Sequence, residues 1–528
     1  MKHLTLALVI GAISVTGTIS TSAIAVTYNL PFKGQDFGDH EKVHTFDHAQ
    51  NQSQKHGFDM GARRYDFDNS RWTSVTTTVA DYNAAPTNNK FVVYNKSIYA
   101  MHAGKVIGCW RNAPENPRPK LSGDSDTTKP WLHSNLKNGL MPGGGNMLWV
   151  EHSDGTRMLY AHMIPGSIST SLCPHNATAY PAAIGNNSEM LYVAVPVAQQ
   201  ASISKGQYLG RVGNSGNSTG PHLHVHLQNS GGEGQLITFN RGIAATPDDT
   251  KPYPSWTRFA GSTIPSGSQL IWAPRTVGSQ YVRHGMKAEM MQGFFSHLAD
   301  SGFKASWFDG YSVSGNSFYN MVWEPANLAW RGFFGQSSAG YQQAFNQAIE
   351  DGYAPVQVDS HQTGSGTRYS VIFEKKPLAT LAKHGLTYAQ HMQVMDQAKD
   401  LNMRPVSVSV VSSGGDRRYT VLYQQQNVGS WTVSSQLTAA AYQNKVNTEL
   451  EAGRRPIYLN SYVHQGEVNY TAVFSQLPQL NWGAKHGQTS AQFQTQFNNF
   501  SGLGYQTEVV SGVDGLNQHN FGGIWTKN

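Results

Sequence analysis

With only two cysteines in 528 residues, the sequence excludes a disulfide-stapled scaffold, and Cys109 and Cys173 lack the spacing of paired metal ligands. Charge is also scarce, at 14% Asp, Glu, Lys and Arg. The 39 basic and 33 acidic side chains leave a formal net charge of +6, with no concentrated basic stripe of the kind nucleic acid needs. That balance suits an anionic wall or membrane surface. After the first 25 residues no apolar run approaches the ~18 residues of a membrane span. No Gly-X-Ser-X-Gly elbow stands at a plausible strand-to-helix turn, so serine hydrolase chemistry has no foothold.

What is plentiful is Gly, Asn, Gln, Ser, Thr and aromatic residues, a mixture common in exported β-rich proteins. The N-terminus agrees: Lys2 and His3, an uncharged apolar run and Ala23-Ile24-Ala25 have the form of a secretory signal peptide over residues 1–25. The expected protein is therefore secreted or periplasmic, and in that oxidising setting Cys109 and Cys173 are expected to form one disulfide.

Two textures follow. Residues 26–250 read as short strands cut by Gly, Pro and Asn, and residues 251–280 as a Pro-, Gly- and Ser-rich linker. Residues 281–528 repeat: Gly302-Phe303, Gly352-Tyr353, Asn402-Met403, Gly453-Arg454 and Gly504-Tyr505 fall 50, 50, 51 and 51 residues apart. Tyr319, Tyr369, Tyr419, Tyr470 and Phe521 keep step, as do Trp323, Phe373, Tyr423, Phe474 and Trp525 four positions later, and all are expected in the core. Three units open with His-Gly, at His284, His384 and His486. Each unit reads as helix-strand-strand, an α+β module too small to bury its own face without neighbours. These units resemble the tandem-repeat modules of bacterial polyglycine-hydrolase-like proteins, which implies an architecture and no chemistry.

The chemistry concentrates in "STGPHLHVHLQ", where His222, His224 and His226 alternate with Leu223 and Val225 and so project from one face of a strand. Upstream, "GNMLWVEHSDGTRMLYAHM" reads as a hairpin around Ser153-Asp154-Gly155 that delivers His162 to a strand end. These two stretches, with "IYAMHAGKV" before them, resemble the lysostaphin-like and β-lytic zinc metalloendopeptidases, which cleave peptide bonds in bacterial cell walls. The resemblance implies an antiparallel, β-rich domain of the LytM, duplicated-hybrid-motif-like kind. It implies zinc, a substrate of peptidoglycan or other Gly-rich peptide, His224 as a ligand, and His162 and His222 as the catalytic pair.

The other two ligands stay open. The family's short motif is His-X-Gly-X-Asp, and the matching "KHGFD" has Lys55 in the first histidine's place. In β-lytic relatives the histidine lies farther ahead of an aspartate flanked by an aromatic, which selects His56 and Asp66, between Tyr65 and Phe67. His48 with Asp59 is the alternative, and a site that binds no zinc is the third. On the favoured reading Asp59 is a turn residue and His226 a surface residue.

Overall fold

The computed structural model describes residues 26–47, 53–116, 119, 142–174 and 193–527. The expected signal segment, residues 1–25, lies outside these. Two compact units emerge, one holding Ser20–Thr276 with Phe295–Ser301, the other Val277–Phe294 with Gly302–Asn528. Among the described residues no helix is long and apolar enough to cross a membrane.

The N-terminal unit is built on one large antiparallel sheet. Its central order runs Gln269–Trp272, Glu41–Asp47, Phe58–Asp66, Leu223–Gln228, Arg157–Met163, Asn146–Glu151, Gly104–Trp110. One face carries Val43, Phe58, Met60, Leu148, Val150, Tyr160, Leu223 and Val225 into a single apolar core. Burial on that face fixes the register, because a one-residue slip would turn every histidine of the Leu223–Gln228 strand inward. The expected linker is corrected: Thr257–Phe259 and Gln269–Trp272 are strands of this sheet, paired to Gly242–Ala245 and Glu41–Asp47. Their Pro- and Ser-rich flanks hide strands of three and four residues, too short for a period to show in sequence. Cys109 and Cys173 are joined, with Cα atoms 5.7 Å apart.

The C-terminal unit holds five three-stranded antiparallel sheets, each with a helix between its first and second strands. The first strand, such as Trp330–Gln336, is absent from the helix-strand-strand expectation; it is half-buried throughout and shows no alternation. All ten periodic aromatics are buried, as expected.

Each inner strand packs on the next, and the fifth, Gln506–Asp514, packs on the first, Phe303–Val313. The array therefore closes into a ring. One equivalent side chain per repeat accepts a hydrogen bond from the backbone N–H of its neighbour. Gly310 donates to Asp359 (2.9 Å), Ser360 to Ser409 (3.0 Å), Val410 to Asn460 (2.9 Å), Ser461 to Ser511 (2.8 Å), and Gly512 to Asp309 (2.8 Å). The His-Gly openings latch the same junctions from outside. His384 meets Ser338 and Tyr341 of the preceding repeat, and His284 of the first repeat meets Ser490 and Phe493 of the last.

Two of the five acceptors are carboxylates. Burial pushes Asp359 up to about 7, and burial together with the Asp359 charge holds Asp309 well above the ordinary carboxylate range. A carboxyl raised in the fold favours the protonated state, so its contribution is complete below the ordinary value near about 4 and is lost as pH rises. The thermal transition of the ring is therefore expected to move down between about pH 4 and pH 7. Asp359→Asn, which copies the residue at Asn460, should flatten that slope in calorimetry of the full chain, and an unchanged slope would refute the assignment.

Candidate functional site

Three neighbouring strands bring the polar groups together on the sheet face away from the core. Asp59 of the Phe58–Asp66 strand pairs in register with His224, which pairs on its other side with Ala161. His224 Nδ1 lies 2.9 Å from Asp59 Oδ1, and His222 Nε2 lies 3.4 Å from the same oxygen. The His162 and His222 rings are 4.7 Å apart, and those of His162 and His224 are 6.0 Å apart.

His162 reaches this face through strained backbone. Alternation from Ala161 would turn it toward the core, but its φ is +66°, where side chains other than Gly are uncommon. The register slips beside it, between the Asn146–Met163 and Leu148–Tyr160 pairs. The turned ring is held by His162 Nδ1, which donates to the Ser215 carbonyl at 2.8 Å. Ser215 is itself fixed, since its hydroxyl donates to the Met163 carbonyl at 2.7 Å and accepts from the Asn146 backbone at 2.9 Å.

The histidines differ in charge preference. Burial pushes His162 well below the ordinary value, and the neighbouring His222 and His224 add to that. Burial would pull His222 down as well, but the Asp59 carboxylate outweighs it and leaves His222 raised. His222 Nδ1 donates to the Gly220 carbonyl at 2.8 Å, so Nε2 is the nitrogen turned to Asp59. The Asp59 and His222 side chains keep 32% and 20% of their exposure, so the cluster opens to solvent through these two.

Of the sequence-selected residues, His162, His222 and His224 meet as expected. Asp66 does not meet them. It lies seven residues beyond Asp59 on one strand, about 23 Å away at about 3.3 Å per residue. Its carboxylate instead accepts from Asn69 Nδ2 at 2.9 Å and from the backbone of Asp68 and Asn69, closing a turn. The remaining sequence-selected residue is His56. It sits in the turn before the strand at φ +69° and makes no hydrogen bond, ion pair or ring contact among the described residues. Asp59, expected as a turn residue, is the carboxylate of the cluster. The surviving Gly57-Phe58-Asp59 half of the short motif was the signal for it.

His226, expected at the surface, is fully buried. Its Nδ1 lies 2.7 Å from His224 Nε2, and the Trp149 ring packs on it at 5.3 Å. Gly57 lies beneath, where an added Cβ would come within 2.9 Å of His226 Cβ.

Among the described residues, no group of three or more His, Cys, Asp or Glu side chains is arranged to hold a metal ion. Asp59 and His224 are an oxygen and a nitrogen donor of the kinds zinc takes. The pair fits zinc in kind and is one ligand short in number. His48 lies outside the described residues.

Residues 278–326, 327–376, 378–426, 428–477 and 479–528 each match the polyglycine hydrolase-like structural repeat. The C-terminal ring is built of polyglycine hydrolase-like repeats. Several solved structures are similar to the chain. The M23 metalloprotease pseudoalterin from the deep sea is 15% identical over 47% of this chain and 96% of its own, with a TM-score of 0.20. A zinc-containing peptidase from Vibrio cholerae is 13% identical over 34% and 48%, with a TM-score of 0.15. The SpoIIQ–SpoIIIAH pore-forming complex is 10% identical over 40% and 87%, with a TM-score of 0.18. These scores are too low to assign a function. No curated protein matches the chain.

If Asp59 raises His222, then Asp59→Asn should lower the His222 titration midpoint followed by NMR, while Asp66→Asn leaves it in place. A midpoint indifferent to Asp59→Asn would remove Asp59 from the site.

Proposed function

We propose that the N-terminal unit is a zinc-dependent endopeptidase acting on peptide bonds of bacterial peptidoglycan or other Gly-rich peptides. The protein would be secreted or periplasmic, and the polyglycine hydrolase-like ring would give attachment or reach. The observation that carries this reading is the in-register Asp59–His224 pair with His162 and His222 beside it. Together with the motifs quoted above, it supplies the residue types that such chemistry needs.

In this reading Asp59 and His224 hold the metal, and His48, eleven residues ahead of Asp59, is the candidate third donor. A bound zinc ion supplies carbonyl polarisation and a water that ionises near neutral pH. His162, its Nδ1 proton fixed on the Ser215 carbonyl, keeps Nε2 as a lone pair able to take a proton. His222, whose protonation Asp59 favours, offers a proton or hydrogen bond to a developing oxyanion or leaving amine. A second reading, a groove that binds such peptides without cutting them, is favoured by Lys55 in the short motif's first ligand place.

Zinc per chain on dialysed full-length protein decides between them. About one zinc is expected, lost in His224→Ala and Asp59→Ala and kept in His56→Ala and Asp66→Ala. His48→Ala tests the third donor. His162→Ala and His222→Ala should keep the metal and lose about 100-fold or more in peptidoglycan hydrolysis. Folded wild type that holds no zinc and cleaves nothing leaves only the binding groove.

A further inference from the structure

Equivalent residues meet at each junction of the ring, and one junction leaves its charge unanswered. Cross-strand register aligns Lys304, Ala354, Arg404, Arg455 and Gln506 in the inner strands. It also aligns Trp330, Thr380, Trp431 and Trp482 in the first strands of the second to fifth repeats. A cation of one repeat thus accompanies a tryptophan of the next at three junctions: Lys304 with Trp330, Arg404 with Trp431, and Arg455 with Trp482. Two of the three are closed from within. Lys304 is buried and paired with Glu374, while Trp330 packs edge-on against Trp323 with ring centroids 5.8 Å apart. Arg455 is buried too, its Nε donating to the Pro478 carbonyl at 2.9 Å and its Nη1 to the Pro456 carbonyl at 3.3 Å.

Arg404 differs. Two repeats after Glu374 the matching position is Ser475, whose hydroxyl faces the Val428 and Leu477 carbonyls. Arg404 therefore has no carboxylate within ion-pair distance among the described residues. Its Nε and Nη2 donate instead to Gln426 Oε1 at 3.1 and 2.5 Å, which fixes the guanidinium and leaves Nη1 open. Burial works against the Arg404 charge; Glu508 supports it from beyond ion-pair distance, and Arg455 opposes it.

These side chains border a groove of about 640 Å³, a size common for small-ligand sites. Lys399, Arg404, Gln425, Gln426, Asn427 and Trp431 line it, and no acidic residue does. Trp431 is half-buried, and among the described residues its indole makes no ring contact and its Nε1 no hydrogen bond. The Gln425 side-chain amide and Asn427 Nδ2 are unused in the same sense. Lys399 is shared with Asp396 of its own helix at 3.0 Å, and both are mostly exposed. Each open group calls for a different part of one ligand. A fixed guanidinium calls for a carboxylate, held by charge-assisted hydrogen bonds. A flat indole calls for the C–H face of a ring, and free amides call for hydroxyls. A carboxylate-bearing sugar supplies all three, whereas an acidic peptide supplies the charge alone.

We propose that the groove between the third and fourth repeats binds an acidic saccharide. Its carboxylate sits on Arg404 with Lys399 beside it, one sugar face stacks on Trp431, and its hydroxyls bond Gln425 and Asn427. This gives the attachment proposed for the ring a chemical partner, and it holds whether or not the N-terminal unit cleaves peptide bonds.

Isothermal titration calorimetry on the full chain tests it with three disaccharides. Two are acidic, N-acetylglucosamine–N-acetylmuramic acid and glucuronic acid–N-acetylglucosamine, and one is neutral, diacetylchitobiose. An acidic sugar should bind about 10-fold or more tightly than the neutral one, and the tighter of the two acids names the source. Arg404→Gln and Trp431→Ala should each weaken that binding about 10-fold or more, while Trp482→Phe, at the matching position of the next repeat, leaves it unchanged. If either variant folds poorly, Arg404→Lys, which keeps the charge and loses the fork, and Trp431→Leu, which keeps bulk and loses the ring, should weaken it in the same direction. The proposal falls if folded wild type binds neither acid, if diacetylchitobiose binds equally well, or if the variants leave binding intact. It falls as well if an oligoglutamate peptide binds with the same dependence on Arg404 and Trp431 while the sugars do not.

Discussion

The N-terminal unit turns on one cross-strand pair, Asp59 opposite His224. A sheet places paired residues on one face at a separation the backbone hydrogen bonds dictate, so the contact needs no loop to hold it. The apolar residues between them in sequence, Phe58 and Met60 on one strand and Leu223 and Val225 on the other, lock the register from the opposite face. Core and site are thus two faces of one constraint. Moving the histidines by one residue would cost the core several buried side chains, far more than the polar cluster could return.

The C-terminal ring applies a different constraint of the same economy. Five side chains, Asp309, Asp359, Ser409, Asn460 and Ser511, occupy one position in successive repeats, and each takes a backbone N–H of its neighbour. Any acceptor serves there, which is why the position tolerates three chemistries. The two carboxylates are the costly choice, because burial disfavours their charge. Closure matters because an open array ends in exposed repeat faces that need caps, whereas here the first repeat covers the last.

How much of this was legible follows from how local each signal is. The alternation of "HLHVHL" needs only a strand, so His222 and His224 could be read directly, and His162 followed from its hairpin. Asp59 was obscured because Lys55 breaks the motif at one end, and the aromatics flanking Asp66 imitate a relative's pattern farther along the same strand. His226 shows the limit of periodicity. Alternation assigns its face, but Trp149, brought by another strand, decides that this part of the face is buried. The repeats announced themselves by period, and their aromatics by constancy. Ring closure did not, because it joins residues about 200 positions apart, such as Gly512 and Asp309, that no local pattern relates. The first strand of each repeat was missed because it is half-buried on both faces.

One carboxylate orders the whole polar cluster. His162 and His222 have rings 4.7 Å apart, and two imidazolium charges at that distance repel, so one of the pair is better left neutral. Asp59 breaks the tie. It lies beside His222, whose protonation it favours against burial, while His162 is buried with nothing but a carbonyl on its donor nitrogen and is driven neutral. Two histidines of one type thereby become a proton donor and a proton acceptor, the division that acid–base chemistry requires. The same Asp59 oxygen lies 2.9 Å from His224 Nδ1 and, able only to accept, draws that nitrogen's proton toward itself. The strand pairing that builds the sheet therefore also decides which nitrogen in the cluster gives a proton and which receives one.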